Sequence, residues 1–128
     1  MNVQPQLFMI KIKQSNHLRA DAFGLSASLA SILENKIEDY PSLPGIENWY
    51  PVINKYLHTL GYNLVLIEKP HASALRGYHL IIGADEITGK MHCVVGKDGV
   101  IIHDPSANKN KYSLLGNHYY GIISKVFF

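Results

Sequence analysis

The stretch KMHCVVGKDGVIIHDP, residues 90–105, decides the fold because it has the pattern of a β-hairpin. Two runs rich in β-branched residues flank a short loop that ends in Gly99. A two-residue loop at Lys97 and Asp98 would require a positive φ at both positions, and lysine supports that conformation poorly. A three-residue loop closed by Gly99 in the left-handed region fits the sequence better, and it is the loop that we predict.

The three-residue loop predicts a register in which His92 lies directly opposite Asp104 on one face of the hairpin. The same register pairs Gly96 with Val100 and Val94 with Ile102, and it leaves Cys93 and His103 together on the other face. A carboxylate on a neighbouring strand fixes the tautomer of an imidazole and stabilises its protonated form, as nucleophilic catalysis requires. The pair is therefore either half of a catalytic triad or, in the plainer interpretation, a structural His–Asp hydrogen bond.

The whole chain has the length and composition of one globular domain, residues 1–128. Of its 128 residues, 47% are hydrophobic and 17% are charged, which is not the composition of a disordered protein. The formal net charge is only +2, from 12 Lys and Arg against 10 Asp and Glu, and the basic residues do not cluster. We therefore expect neither a nucleic-acid partner nor a membrane partner. The sequence does not indicate an oligomeric state.

Cysteine and histidine usage excludes two further classes of protein. The single cysteine, Cys93, rules out a disulfide framework and a cysteine-rich metal site. The histidines other than His92 show no ligand spacing with carboxylates, so we expect no metal and no cofactor. The apolar run at residues 7–12 is too short and too soon interrupted by lysines for a signal sequence or a membrane span. We expect a cytoplasmic protein, or one secreted as a bacterial effector.

The remaining pattern predicts an α+β order, with helices first and an antiparallel sheet after them. Predicted strands are residues 7–13, 62–67, 77–82, the two arms of the hairpin and 119–127; predicted helices are 22–35 and 48–60; residues 108–117 are a predicted loop. Asp21 is the expected cap of the first helix. That helix carries leucines on one side and small residues, among them Ser28 and Ser31, on the other. It could therefore be covered on both faces, as a central helix is.

The second predicted helix has an amphipathic pattern with a clear start and stop. Its apolar stripe consists of Trp49, Ile53, Tyr56, Leu57 and Leu60. Proline at residue 51 falls in the first turn, where it is tolerated, and the glycine at residue 61 ends the helix. We predict that Trp49, Ile53 and Leu57 pack inward as structural residues rather than holding a cofactor.

A His–Asp pair needs a thiol or hydroxyl, commonly at a helix N-terminus, where the helix dipole lowers the pKa of a thiol. From about Gln14 to Tyr120 the order of motifs resembles the papain-like cysteine peptidase and amidase superfamily, especially small bacterial members and the peptidase domains of bacteriocin exporters. The shared order is a glutamine in a loop, a nucleophile at the start of the central helix, then His92 and Asp104 on adjacent strands. The resemblance implies a papain-like α+β fold, with a central N-terminal helix packed on an antiparallel sheet, and a peptide or protein substrate.

The sequence departs from this superfamily at the nucleophile, because no cysteine precedes His92. Two positions could be the place of the missing nucleophile, which we call the nucleophile slot. The triplet at residues 21–23 resembles the family's polar residue, cysteine and aromatic residue, which would make Ala22 a cysteine reduced to its Cβ. Alternatively, residues 29–34 and 37–41 resemble the same helix and its exit in small bacterial members, and that alignment puts the slot at Gly24. We favour Ala22, because it follows the predicted cap Asp21 directly and needs only one substitution. Cys93 cannot replace the missing thiol, since neighbouring residues of a strand point to opposite faces.

The resemblance also implies a role for Gln14, whose side-chain amide would donate to a developing oxyanion. Two functions follow. In one, the chain is an inactivated peptidase or glutamine deamidase whose base is His92, oriented by Asp104. In the other, it is a natural pseudoenzyme that binds a peptide or protein in the former active-site cleft. A third interpretation is a structural α+β domain without a cleft function.

Overall fold

The chain folds into two helices and a five-stranded antiparallel sheet, an α+β arrangement. The computed structural model describes residues 24–43, 47–68, 75–85, 90–105 and 115–126. Its elements are helix α1 (Leu25–Leu33), a short 3-10 helix (Ile37–Asp39), helix α2 (Trp49–Thr59), and strands β1 (Tyr62–Glu68), β2 (Tyr78–Asp85), β3 (Met91–Lys97), β4 (Val100–His103) and β5 (Leu115–Lys125). The strand predicted at residues 7–13 lies outside the described residues.

The last strand of the chain lies inside the sheet, whose order is β1-β5-β2-β3-β4. Gly121 makes this insertion possible, because a Cβ there would lie 3.1 Å from side-chain atoms of both Leu64 and Leu80 on the two flanking strands. Strand β5 begins at Leu115, which pairs with Asp85 of β2. The predicted loop at residues 108–117 therefore ends too late, because residues 115–117 belong to β5. Pairing with β2 extends this strand beyond the apolar residues from which it was predicted.

Helix α1 is the central helix that the sequence predicts, since every residue from Leu25 to Ile32 is buried. Two of its buried hydroxyls have backbone acceptors. Ser31 Oγ donates to the carbonyl of Ala27 at 2.7 Å, and Ser28 Oγ donates to the carbonyl of Cys93 at 3.3 Å. Such bonds are needed because a buried hydroxyl without a partner costs free energy. The second bond ties the helix to strand β3.

The predicted start of helix α1 is wrong by three residues. The helix begins at Leu25, and its N-cap is Gly24, with a φ of 83°, rather than Asp21. Gly24 lies in the left-handed region, outside the φ range of a right-handed helix, so the helix begins after it. The end of α1 has a similar cause, because Glu34 is also left-handed, with a φ of 57°.

Helix α2 packs on the same face of the sheet through three of the predicted core residues. Trp49, Ile53 and Leu57 are 5%, 0% and 0% exposed, which confirms that they pack inward. Leu60, by contrast, is 40% exposed, so its assignment to the apolar stripe is wrong. The helix has already ended at that position, and Gly61 follows with a φ of 87°, as expected of a helix stop. In the described part of the chain, no helix has the length and apolar character needed to cross a membrane.

Candidate active site

The His92–Asp104 pair predicted from the hairpin is present. Nε2 of His92 lies 2.7 Å from Oδ1 of Asp104, which confirms that the two side chains are within hydrogen-bond reach. Their side chains are 11% and 5% exposed, respectively. Little water therefore competes with the bond, which strengthens its electrostatic component. The pair lies where strand β3 begins and just beyond the end of strand β4.

The predicted register of the hairpin is wrong. Lys97, not Gly96, pairs with Val100, so the loop has two residues, Asp98 and Gly99. These residues have φ values of 51° and 89°, and such positive values are typical of the tight turns that match the twist of a hairpin. The two-residue loop that the sequence disfavours lies one position earlier, at Lys97 and Asp98, where lysine would need a positive φ. An Asp-Gly loop meets no such objection, because both residue types tolerate the left-handed region.

A β-bulge returns the pair to one face of the hairpin. The register shifts between Val95 and Gly96, so that Val95 pairs with His103. Because side chains alternate along a strand, Asp104 then lies on the face opposite Val95, the face that carries His92. Because Val95 pairs with His103, the register continues with Val94, not His92, opposite Asp104, so the direct cross-strand pairing was wrong while the hydrogen bond was right.

The hydrogen bond determines which nitrogen of His92 remains for chemistry. A carboxylate only accepts hydrogen bonds, so Nε2 carries the proton that is donated to Asp104. In the neutral ring, Nδ1 is then the basic nitrogen. Within the described part of the chain, Nδ1 of His92 has no hydrogen-bond partner. The ring is thus held in the tautomer that a general base requires, with its accepting nitrogen turned away from the carboxylate.

The N-terminal end of helix α1 lies against this ring. A Cβ built on Gly24 would lie 3.7 Å from Cε1 of His92, the carbon between the two ring nitrogens. It would also lie 2.9 Å from the carbonyl oxygen of Cys93 and 3.3 Å from Cγ of Pro105. Position 24 therefore borders the base, but its left-handed backbone and its crowded surroundings suit glycine. Of the other predicted site residues, Ala22 and Gln14 lie outside the described residues.

Cys93 is completely buried and belongs to the core that the helices cover, which agrees with its rejection as a partner of His92. The core lies on the face of β3 opposite His92. Among the described residues, no group of three or more His, Cys, Asp and Glu side chains is arranged to hold a metal ion.

Sequence reasoning missed one residue that supports the hairpin, His79. It was considered only as a possible metal ligand, yet it is completely buried and accepts a hydrogen bond from the backbone N–H of Gly99 at 3.0 Å. Strand β2 carries His79 and lies 20 residues earlier in the chain than the turn that it contacts. No local pattern could have indicated this contact.

Comparison of the chain with protein-family models, curated proteins and solved structures found no significant match.

Proposed function

We propose that this chain has the scaffold of a papain-like thiol hydrolase, a peptidase or a glutamine deamidase, in an inactivated form. In this proposal His92 is the general base, Asp104 orients it, and Gln14 donates to the oxyanion. The nucleophile slot is Ala22, with Gly24 as the alternative. The observation that carries the proposal is the hydrogen bond of 2.7 Å from His92 to Asp104, made beside the N-terminal end of a buried helix.

The chemistry requires a thiol near Nδ1 of His92. With cysteine in the slot, the thiol proton would pass to Nδ1, and the thiolate would attack the amide carbonyl carbon. The leaving amine would then take the proton from His92, which leaves a thioester that water hydrolyses. Donors at the helix N-terminus and the side chain of Gln14 would stabilise the oxyanion. Without the thiol this route stops at substrate binding.

The inactivated-enzyme proposal is tested by supplying a thiol. In Ala22→Cys and, separately, Gly24→Cys, the rate of alkylation by iodoacetamide is measured across pH. A cysteine activated by His92 reacts as a thiolate well below the ordinary thiol pKa of about 8.5, and a further His92→Ala substitution removes that reactivity. We expect this behaviour from Ala22→Cys, since a cysteine at position 24 would have to adopt a φ near 83°.

Two controls make the alkylation experiment decisive. Lys55→Cys, on the exposed side of helix α2, gives the rate of an ordinary surface thiol. The unmodified chain gives the background from Cys93, which is completely buried and should be inert. If neither slot cysteine reacts faster than the Lys55→Cys variant, the site is not built to activate a thiol.

The second candidate function is a natural pseudoenzyme that binds a peptide or protein in the former cleft. It is favoured by an intact His92–Asp104 pair in a chain with no cysteine at either slot. The codons of the natural gene at positions 22 and 24 separate the two candidates. A cysteine codon at either position supports the inactivated enzyme, whereas alanine and glycine codons support the binding protein.

A further inference from the structure

Burial distinguishes Pro105 from the other prolines in the described part of the chain. Pro41 is half-buried and Pro51 is exposed, whereas Pro105 is less than 2% exposed. Prolines more often lie at the surface, in turns or in the first turn of a helix, as Pro51 does. Pro105 directly follows Asp104, whose carboxylate binds His92. The packing of this proline therefore bears on the position of that carboxylate.

The ladder of the hairpin stops one residue before Asp104. Its last pair joins Val95 to His103, and Asp104 follows the end of strand β4. Strand pairing therefore does not extend to the residue that binds the imidazole. A proline restricts the residue before it, because its Cδ clashes with that residue in the helical region and leaves it extended. Pro105 thus limits the backbone of Asp104 at the point where the ladder no longer does.

The ring of Pro105 and the ring of His92 lie beside the same residue. A Cβ built on Gly24 would lie 3.3 Å from Cγ of Pro105 and 3.7 Å from Cε1 of His92. The hydrogen bond from His92 to Asp104 closes this arrangement, since Asp104 and Pro105 are joined by a peptide bond. A shift of the proline ring away from the start of helix α1 would therefore move the backbone of Asp104 as well.

We propose that Pro105 is a positioning residue, which holds the carboxylate of Asp104 on Nε2 of His92. It does so by restricting the backbone of Asp104 and by packing its ring against the start of helix α1. The proposal deepens the proposed function and rests on it only for the role of His92 as a base, because the positioning itself requires no thiol. Proline has no backbone N–H to donate, so Pro105 acts through Asp104.

The proposal is tested in Pro105→Ala, which removes the ring and its restriction on Asp104 but retains a Cβ. The proton on Nε2 of His92 gives a downfield NMR signal. Its exchange with water, measured by saturation transfer, reports how often the bond to Asp104 opens. We expect this exchange to be about fivefold faster in Pro105→Ala than in the wild type, because the backbone of Asp104 gains freedom.

Two control variants separate this effect from a general loss of stability. Ile53→Val removes one methyl group from the core beneath helix α2, which packs on β1, at the opposite edge of the sheet from β4. Pro51→Ala removes an exposed proline. Both controls should leave the exchange rate of the His92 proton within about twofold of the wild type, since neither opens the bond to Asp104 locally.

Wild-type protein provides a test that does not depend on a folded variant. The backbone amide of Asp104 should have an NMR order parameter of about 0.85, the value of rigid backbone, although it lies beyond the ladder. An order parameter below about 0.6 would overturn the proposal. So would a change in exchange of less than about twofold in Pro105→Ala, or an equal acceleration in Ile53→Val.

The positioning role and the hydrolase proposal can fail separately. An inert Ala22→Cys variant together with faster exchange in Pro105→Ala would remove the hydrolase proposal and support the positioning role. A reactive Ala22→Cys variant together with unchanged exchange in Pro105→Ala would support the hydrolase proposal and overturn the positioning role.

Discussion

Two buried histidines in this chain use their ring nitrogens in opposite ways. His92 donates from Nε2 to the carboxylate of Asp104, so its Nδ1 remains as a base. His79 accepts at Nε2 from a backbone amide, so its basic nitrogen is already occupied. A carboxylate partner supports a charged ring, whereas an N–H donor supports a neutral one. The residue type is the same at both positions, and the partner decides which histidine is suited to catalysis.

The neutral state of His79 predicts a specific pH dependence of stability. Burial lowers its pKa in the folded protein relative to the unfolded chain, whose histidine value is about 6.5. Below that pH the unfolded chain binds the proton more readily, so the free energy of unfolding falls as the pH falls. One proton can contribute at most about 1.4 kcal/mol per pH unit. The measurement is urea denaturation of the wild type and of His79→Gln between pH 7 and pH 5.

The comparison isolates His79, because every other titrating group is present in both proteins. We expect the free energy of unfolding of the wild type to fall more steeply with acid than that of His79→Gln. Parallel curves would show that His79 titrates alike in both states, against the burial argument.

At the scale of elements, local patterns predicted the helices and most strands but not the details that distant contacts decide. Periodicity was enough for the inward stripe of helix α2, because burial of Trp49, Ile53 and Leu57 follows from spacing alone. The register of the hairpin could not be predicted in this way, because its turn is bonded to Gly77, which precedes β2, and to His79 of β2. The start of α1 could not be predicted either, because periodicity in the sequence gives no information on φ. Gly24 is left-handed and lies against strand β3.

Gly24 should be more sensitive to substitution than an otherwise similar glycine. Gly24 and Gly61 both flank a helix, with φ values of 83° and 87°. A Cβ on Gly61 would meet nothing within 4 Å, whereas one on Gly24 would lie 2.9 Å from the carbonyl oxygen of Cys93. We expect Gly61→Ala to lower the free energy of unfolding by about 1–2 kcal/mol, the cost of the left-handed conformation alone. Gly24→Ala should cost about 1–3 kcal/mol more, because backbone must move.

Thermal or urea denaturation of the two variants gives the difference directly. Equal losses would mean that the contact between position 24 and strand β3 relaxes freely. In that case a cysteine at position 24 would become the better candidate for the nucleophile, and the preference for Ala22 would be reversed.

For the molecule as a whole, the side chains that meet in the candidate site were predicted correctly although the register from which they were predicted was wrong. Asp104 was predicted as the partner of His92 from the hairpin register, and the order of the two residues along the chain agrees with the resemblance. The error in loop length was compensated by a bulge, so that the two side chains still meet at 2.7 Å. Position 24 also lies beside the ring, as expected of a residue at the start of a central helix. The backbone conformation that brings position 24 to the His92–Asp104 pair depends on packing between elements, which a sequence pattern within one element does not encode.

The central claim is that the N-terminal region of helix α1 and the His92–Asp104 pair form a site for thiol attack on a carbonyl. The most direct test is single-turnover acylation of Ala22→Cys by a peptide thioester, followed by intact-protein mass spectrometry, with Gly24→Cys measured in parallel. We predict a saturable acyl adduct at the introduced cysteine, slowed by at least about 100-fold when His92 is also replaced by alanine. Acylation at the same rate with and without His92, at both positions, would contradict the claim.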